Sequence, residues 1–312
     1  MPAGKERLTV EKIKIIIDTD IGDDIDDAYA VALALSCREL DVLGITTVYG
    51  NTAARVKIAK TLVKSYGANV KVYAGCGVPL ISPYSLDINA YPCQYADYMD
   101  AEELEAVHGV DYIVEQARKF PEEITLIPIG ALTNIALAIR KAPDIVSKIK
   151  RVVLMGGCVK TPESLLSDAN FTGAEFNILC DPEAARIVYT SGVKITQVGL
   201  EVTRKCVMTK KEVEEFKAFG NHSCALLYEL TQKWLEAYLC AGPMLHDPLA
   251  VSVLTHDFCS FRDVNIHIAL DGADRGRTLE VSPETPFSNI ISVAENVNAA
   301  AFLDFFKRKL LK

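Results

Sequence analysis

Short, nearly unbroken apolar runs rich in Ile and Val recur along the chain: Lys12–Ile17 (KIKIII), Val42–Val48 (VLGITTV), Glu123–Ile129 (EITLIPI), Arg151–Met155 (RVVLM) and Lys194–Leu200 (KITQVGL). A strand wetted on one face alternates apolar and polar residues, so runs this continuous predict strands buried on both faces, as in a mostly parallel sheet. Between them, Ala28–Ser36, Thr52–Ser65, Leu132–Lys141 and Pro182–Ser191 carry helical spacing. This βαβα order predicts an α/β fold: a mostly parallel central sheet with helices on both faces. Thr209–Tyr238 has helical spacing with mixed charge, and an apolar helix-like run follows His246. Phe261–Leu270 reads as irregular, and Asn296–Leu311 closes the chain as an amphipathic helix. No repeat, low-complexity tract or linker divides the sequence, so 1–312 is expected to be a single domain, with 1–11 a poorly ordered extension.

Half of the residues are apolar, ample for a sizeable core, and the formal net charge is −8. The acids are spread along the chain, which gives no electrostatic footprint for nucleic acid or for an anionic membrane. The N-terminus lacks the apolar segment of a signal peptide, and no run is long enough to span a bilayer. Nine cysteines, with no C-x-x-C pair, read as thiols in a reducing compartment; a cytoplasmic location is expected.

The chemistry is concentrated where the first strand ends, at Asp18-Thr19-Asp20-Ile21-Gly22-Asp23-Asp24-Ile25-Asp26-Asp27. Six carboxylates in ten residues repel one another unless a cation or solvent separates them. In an open α/β sheet this turn falls at the carboxyl end of a strand, where ligands gather. Aspartate oxygens suit hard ions such as Ca²⁺ or Mg²⁺. Capping of the next helix needs one or two acids, not six. An EF-hand loop does not fit, because Asp23 stands where glycine is required and Tyr29 where the bidentate glutamate belongs. A phosphatase with an Asp-x-Asp nucleophile fits the turn better, but its later lysine and second acidic motif are not evident.

Further segments follow: Ile45–Asn51 (ITTVYGN), Pro128–Ala136 (PIGALTNIA), Val152–Gly157 (VVLMGG) with Ala174–Ile178 (AEFNI), and His246–Val251 (HDPLAV). With the acidic turn, in this order and over nearly the whole chain, they resemble the inosine–uridine-preferring nucleoside hydrolase family. The resemblance implies a Rossmann-like nucleoside hydrolase fold and hydrolysis of ribonucleosides to free base and ribose. It also implies one Ca²⁺ per subunit and a homodimer or homotetramer.

Carried over residue by residue, Asp20 resembles the catalytic base and a metal ligand, Asp27 the bidentate metal carboxylate, and Asp247 the ligand from the far end of the chain. Ile129 stands where the family uses a backbone carbonyl, often on a hydroxyl residue. Asp26, Asn51, Glu175 and Asn177 match positions that hold ribose hydroxyls. Asn170 joins them at a spacing from Glu175 one residue shorter than the common pattern. Met155 would pack beneath the sugar; on its own evidence it is core. Trp234 and Tyr238, four apart on a helix, align with an aromatic pair near the leaving group, or face the core. His246, with an ordinary pKa near neutrality, matches the proton donor to the base. His246-Asp247-Pro248 can also be read as a helix start. The acidic turn is two residues longer between Gly22 and Asp26-Asp27 than the commonest form, which makes Asp24 an alternative ligand. A pocket that binds nucleosides without turnover, and a hydrolase of a related N-riboside, are the competing functions.

Overall fold

The computed structural model describes residues 11–81, 87–99, 103–238 and 242–312. Except for Glu11, the expected N-terminal extension lies outside them, as does Cys240. The elements run β1 (Ile13–Thr19), α1 (Asp26–Ser36), β2 (Leu40–Thr47), α2 (Thr52–Ser65), β3 (Val72–Ala74), α3 (Gly109–Lys119), β4 (Thr125–Pro128) and α4 (Thr133–Lys141). They continue with β5 (Arg151–Met155), α5 (Phe176–Cys180), α6 (Pro182–Tyr189), β6 (Ile195–Val198), α7 (Leu200–Thr203), α8 (Lys210–Phe219), α9 (His222–Tyr238) and α10 (His246–Ser252). The last are β7 (Cys259–Ile268), β8 (Thr278–Glu280), β9 (Ser288–Val297) and α11 (Ala299–Leu310).

One nine-stranded sheet has the order β3-β2-β1-β4-β5-β6-β9-β7-β8. It is parallel except for β7, which runs antiparallel to both β8 and β9. β1 shows why continuous apolar runs form its centre. Ile15 and Ile17 bury into a core shared with α1, α2, α9, α10 and α11, and Ile16 into one built with α3, α4 and α6. Each such side chain contributes about 1.5–3 kcal/mol on burial, and only a strand covered on both sides can use every position.

The chain works outward from β1 through β2 to β3, then returns to add β4, β5 and β6 on the other side. The strand order therefore reverses between β1 and β4, where Ile129 N–H donates to Asp18 O at 2.8 Å. Connections leaving two neighbouring strands in opposite directions open a crevice at their carboxyl ends. The acidic turn leaves β1 and Ile129 leaves β4 at that point.

The structure corrects or sharpens three sequence expectations. Phe261–Leu270 is not irregular: most of it is β7, whose burial pattern is mixed because the strand is largely exposed over its first half. The helical spacing of Thr209–Tyr238 is borne out as two helices, because Gly220 closes α8 in the left-handed region at φ +74°. The closing helix begins at Ala299 rather than Asn296, since Asn298 caps it and Asn296 belongs to β9. Among the described residues, no helix is long and apolar enough to cross a membrane.

Candidate active site

The turn after β1 is held by what surrounds it. Ile21 and Ile25 are fully buried and pin it from below. Gly22 sits at φ +129°, where a Cβ would meet Pro92 Cβ at 2.7 Å and Ile58 Cδ1 at 2.8 Å, so the turn closes this tightly only with glycine. Gln94 clamps the added residues: its N–H donates to Gly22 O at 3.0 Å and its Nε2 to Asp24 O at 2.7 Å. From α2, the buried Arg55 guanidinium donates to Asp20 O, to Ile21 O at 3.0 Å, to Tyr49 O at 2.6 Å and to Asp23 Oδ2 at 2.8 Å. The turn's carbonyls are thus satisfied from outside, and the carboxylates of Asp20, Asp26 and Asp27 remain for the crevice.

Asp26 and Asp27 begin α1, and Asp247 begins α10, which packs against it. Asp247 N–H donates to Asp26 Oδ2 at 3.2 Å, and Thr19 Oγ1 donates to Asp27 Oδ1. One oxygen from each of these three buried carboxylates lies within 4.8 Å of the others. Desolvation raises all three pKa values well above the usual carboxylate range, and the neighbouring carboxylates raise them further. Among the described residues, none of the three has an ion pair. Buried charges left unpaired cost several kcal/mol each, so protons or a hard cation must compensate them. Three carboxylate oxygens at this spacing are suitable donors for such a cation.

The group of three differs from the expected metal set, with Asp26 in it and Asp20 outside it. Asp26 and Asp27 share the first turn of α1, where the Asp247 amide draws the first inward, whereas Asp20 leaves β1 earlier. The Asp20 carboxylate lies against Gly130, where a Cβ would stand 2.7 Å from its Oδ1. Burial pushes the Asp20 pKa up to about 6, despite the charge of Arg55. Asp24 is not in the group either; it is exposed, with Oδ1 accepting from Ile25 N at 2.7 Å.

These carboxylates open onto a cavity of about 600 Å³, within the size range of small-molecule sites. Asp20, Asp26, Asp27, Ile129, Met155, Asn170, Glu175, Asn177, Tyr238, His246 and Asp247 all line it. Glu175 caps α5 and accepts from Asn177 N at 2.9 Å, Gly157 N at 2.9 Å and Ile178 N at 3.2 Å. Burial nevertheless raises its pKa. Asn177 Nδ2 donates to Ile129 O at 3.0 Å and reaches Met155 O and Sδ, tying the ends of β4 and β5 together. His246 Nδ1 lies 2.7 Å from Thr203 Oγ1. Desolvation, with a smaller effect of Arg204, lowers its pKa to about 4. The imidazole is therefore neutral at pH 7, unlike the ordinary histidine assumed from sequence.

Asn51 and Trp234 are not brought to the cavity. Asn51 caps α2, its Oδ1 accepting from Ala54 N at 3.0 Å and its Nδ2 donating to Asn89 O at 3.2 Å. Trp234 is 5% exposed in the core, its ring 6.2 Å from that of Tyr238, which is 51% exposed. Residues that the motifs did not single out line the same space: Tyr49, Phe171, Phe176 and Arg204 among them. Phe176 is 60% exposed and meets the Tyr49 ring edge-on at 6.2 Å. It lies between Glu175 and Asn177 in the motif itself, an apolar residue between polar flanks.

The profile described as inosine-uridine preferring nucleoside hydrolase matches residues 15–304. The pyrimidine-specific ribonucleoside hydrolase RihB of Escherichia coli (strain K12) is 35% identical over 287 residues, covering 86% of this chain and 88% of its own. Among solved structures, a purine-preferring ribonucleoside hydrolase from Gardnerella vaginalis superposes with a TM-score of 0.82 at 28% identity, over 96% of this chain and 98% of the other. A plant nucleoside hydrolase, PpNRh1, gives 0.80 at 28% identity, over 96% and 99%.

Proposed function

The chain belongs to the inosine-uridine preferring nucleoside hydrolase family, and from that membership we propose that it hydrolyses the N-glycosidic bond of ribonucleosides, releasing ribose and free base with Asp20 as the general base. The observation that carries this reading is the uncompensated carboxylate group of Asp26, Asp27 and Asp247, set beside Asp20 at the β1/β4 crevice on a nucleoside-sized cavity.

Asp26, Asp27 and Asp247, with Asp20 and the Ile129 carbonyl beside them, would hold a hard divalent ion, and calcium suits an all-oxygen set. Such an ion supplies Lewis acidity and fixes a sugar diol and a water in one place. The bond from C1′ to the base nitrogen breaks through an oxocarbenium-like transition state. Asp20, lining the cavity beside the carboxylate group, takes the proton of the attacking water. Asp26, Asn170, Glu175 and Asn177 hold the ribose hydroxyls, and Met155 packs beneath the ring. Because Asp26, Glu175 and Asn177 are buried and would lose a hydroxyl contact, 2′-deoxynucleosides should show kcat/KM at least about 100-fold below their ribo counterparts. A nucleoside panel assayed for reducing sugar, with and without chelator, tests both points. No sugar from any ribonucleoside would refute the hydrolase, and equal rates for the two series would refute the hydroxyl contacts.

His246 and Tyr238 stand at the leaving-group end. In the tautomer where Thr203 Oγ1 donates to Nδ1, the neutral ring of His246 carries its hydrogen on Nε2 and offers that N–H as a hydrogen bond to the departing base. His246→Ala should therefore lower kcat for inosine or uridine by roughly 100-fold or more while sparing p-nitrophenyl riboside, whose phenolate leaves without a hydrogen-bond donor. Equal losses on both substrates would remove His246 from that role.

A further inference from the structure

One cation of the cavity is unused by the reaction described above. Two arginines line the space, and Arg55 is fully committed to the acidic turn. Arg204 follows Thr203 directly, so the residue that holds the His246 ring and the residue carrying this charge are neighbours at the end of α7. Its Nε donates to Ser164 Oγ at 3.1 Å, which tethers one edge of the guanidinium. Among the described residues, its terminal amino groups meet no carboxylate and no carbonyl. Arg204 and His246 line the same cavity. A planar, permanently charged, half-buried donor at the edge of a cavity, with no acidic partner, is suited to an oxygen acceptor on a ligand.

The chemistry of the leaving group supplies that acceptor. When the bond to C1′ breaks, its electron pair goes to the base nitrogen and delocalises through the ring onto any exocyclic carbonyl oxygen: O2 of a pyrimidine or O6 of hypoxanthine. We propose that Arg204 binds this carbonyl oxygen and stabilises the negative charge that gathers there, so that the enzyme favours bases bearing a carbonyl over adenine. The inference rests on the hydrolase reading. His246 supplies one N–H to the base, and Arg204 supplies fixed charge that no proton transfer removes. Donors aimed where charge develops act mainly on the transition state, so the effect falls on kcat more than on KM.

The test is steady-state kinetics of the wild type, Arg204→Ala, Arg204→Lys and Ser164→Ala on uridine, inosine, adenosine and p-nitrophenyl riboside, with Tm confirming that each variant is folded. Arg204→Ala should lower kcat on uridine and inosine about 100- to 1,000-fold, and leave adenosine and p-nitrophenyl riboside within a few-fold. Arg204→Lys should recover part of the loss on the carbonyl bases, and Ser164→Ala, which only frees the tether, should cost less than either. Equal losses on all four substrates, or none on uridine and inosine, would overturn the assignment of Arg204 while the hydrolase reading stands. Failure of the wild type to release sugar from any nucleoside would instead bring down the hydrolase reading, and this inference with it.

Discussion

Asp20→Asn is expected to lower kcat by about 10²–10⁴-fold, the range general-base catalysis supplies, with KM within a few-fold of wild type. The change is nearly isosteric, and the structure gives reason to expect it to be tolerated. The Arg55 guanidinium binds the backbone carbonyl of Asp20, not its carboxylate, so the turn keeps its main anchor. Gly130 already leaves room for a side chain at this place. Asp26, Asp27 and Asp247 remain to hold a cation, so calcium binding, read by calorimetry, should weaken far less than turnover. Asp26→Asn is the informative contrast. It removes one charge of the carboxylate group while keeping an acceptor for the Asp247 amide, and should lose calcium affinity and activity in parallel. A variant Asp20→Asn within tenfold of wild-type kcat would end the assignment of Asp20 as the base.

How far the sequence carries this picture depends on whether a feature is local. β1 is legible because its apolar run is buried on both faces, and the acidic turn because its repulsion is a property of adjacent residues. The half-wet β7 and its partner β9 lack such a run, and their pairing brings together segments that no local pattern links. Asp247 lies far along the chain from Asp26 and Asp27, and only the family resemblance joins them; no spacing rule reaches that distance. Arg55 carried no signal at all. Its importance arises when the first turn of α2 packs under the acidic turn, and the sequence does not show that approach. Asn51 is the opposite case, a motif residue whose side chain is used in capping a helix. Trp234 and Tyr238 do share a side of α9, as the spacing requires, but the helix runs past the edge of the core between them. One ring is buried and the other reaches the cavity.

Removing the divalent ion should abolish turnover and leave a protein whose stability falls as the pH rises. The sign follows from the carboxylates. Burial lifts Asp18 to about 7 and Asp20 to about 6, and raises Asp26, Asp27 and Asp247 well above their usual range. Unfolded aspartates titrate near 4, so above that pH the native state binds more protons than the unfolded chain, and stability is lost as pH climbs through the folded values. In chelator, Tm should therefore be lower near pH 8 than near pH 5.5. Calcium, which binds the ionised native site, should raise Tm more at the higher pH. Asp27→Asn separates the two halves of the argument. It removes one of the repelling charges while keeping an acceptor for Thr19 Oγ1. In chelator at neutral pH it should melt above the wild type, yet gain little from calcium and turn over little nucleoside. A Tm in chelator that holds level or rises between those pH values, or an Asp27→Asn protein that calcium stabilises as much as wild type, would show that these carboxylates are not the ion's seat.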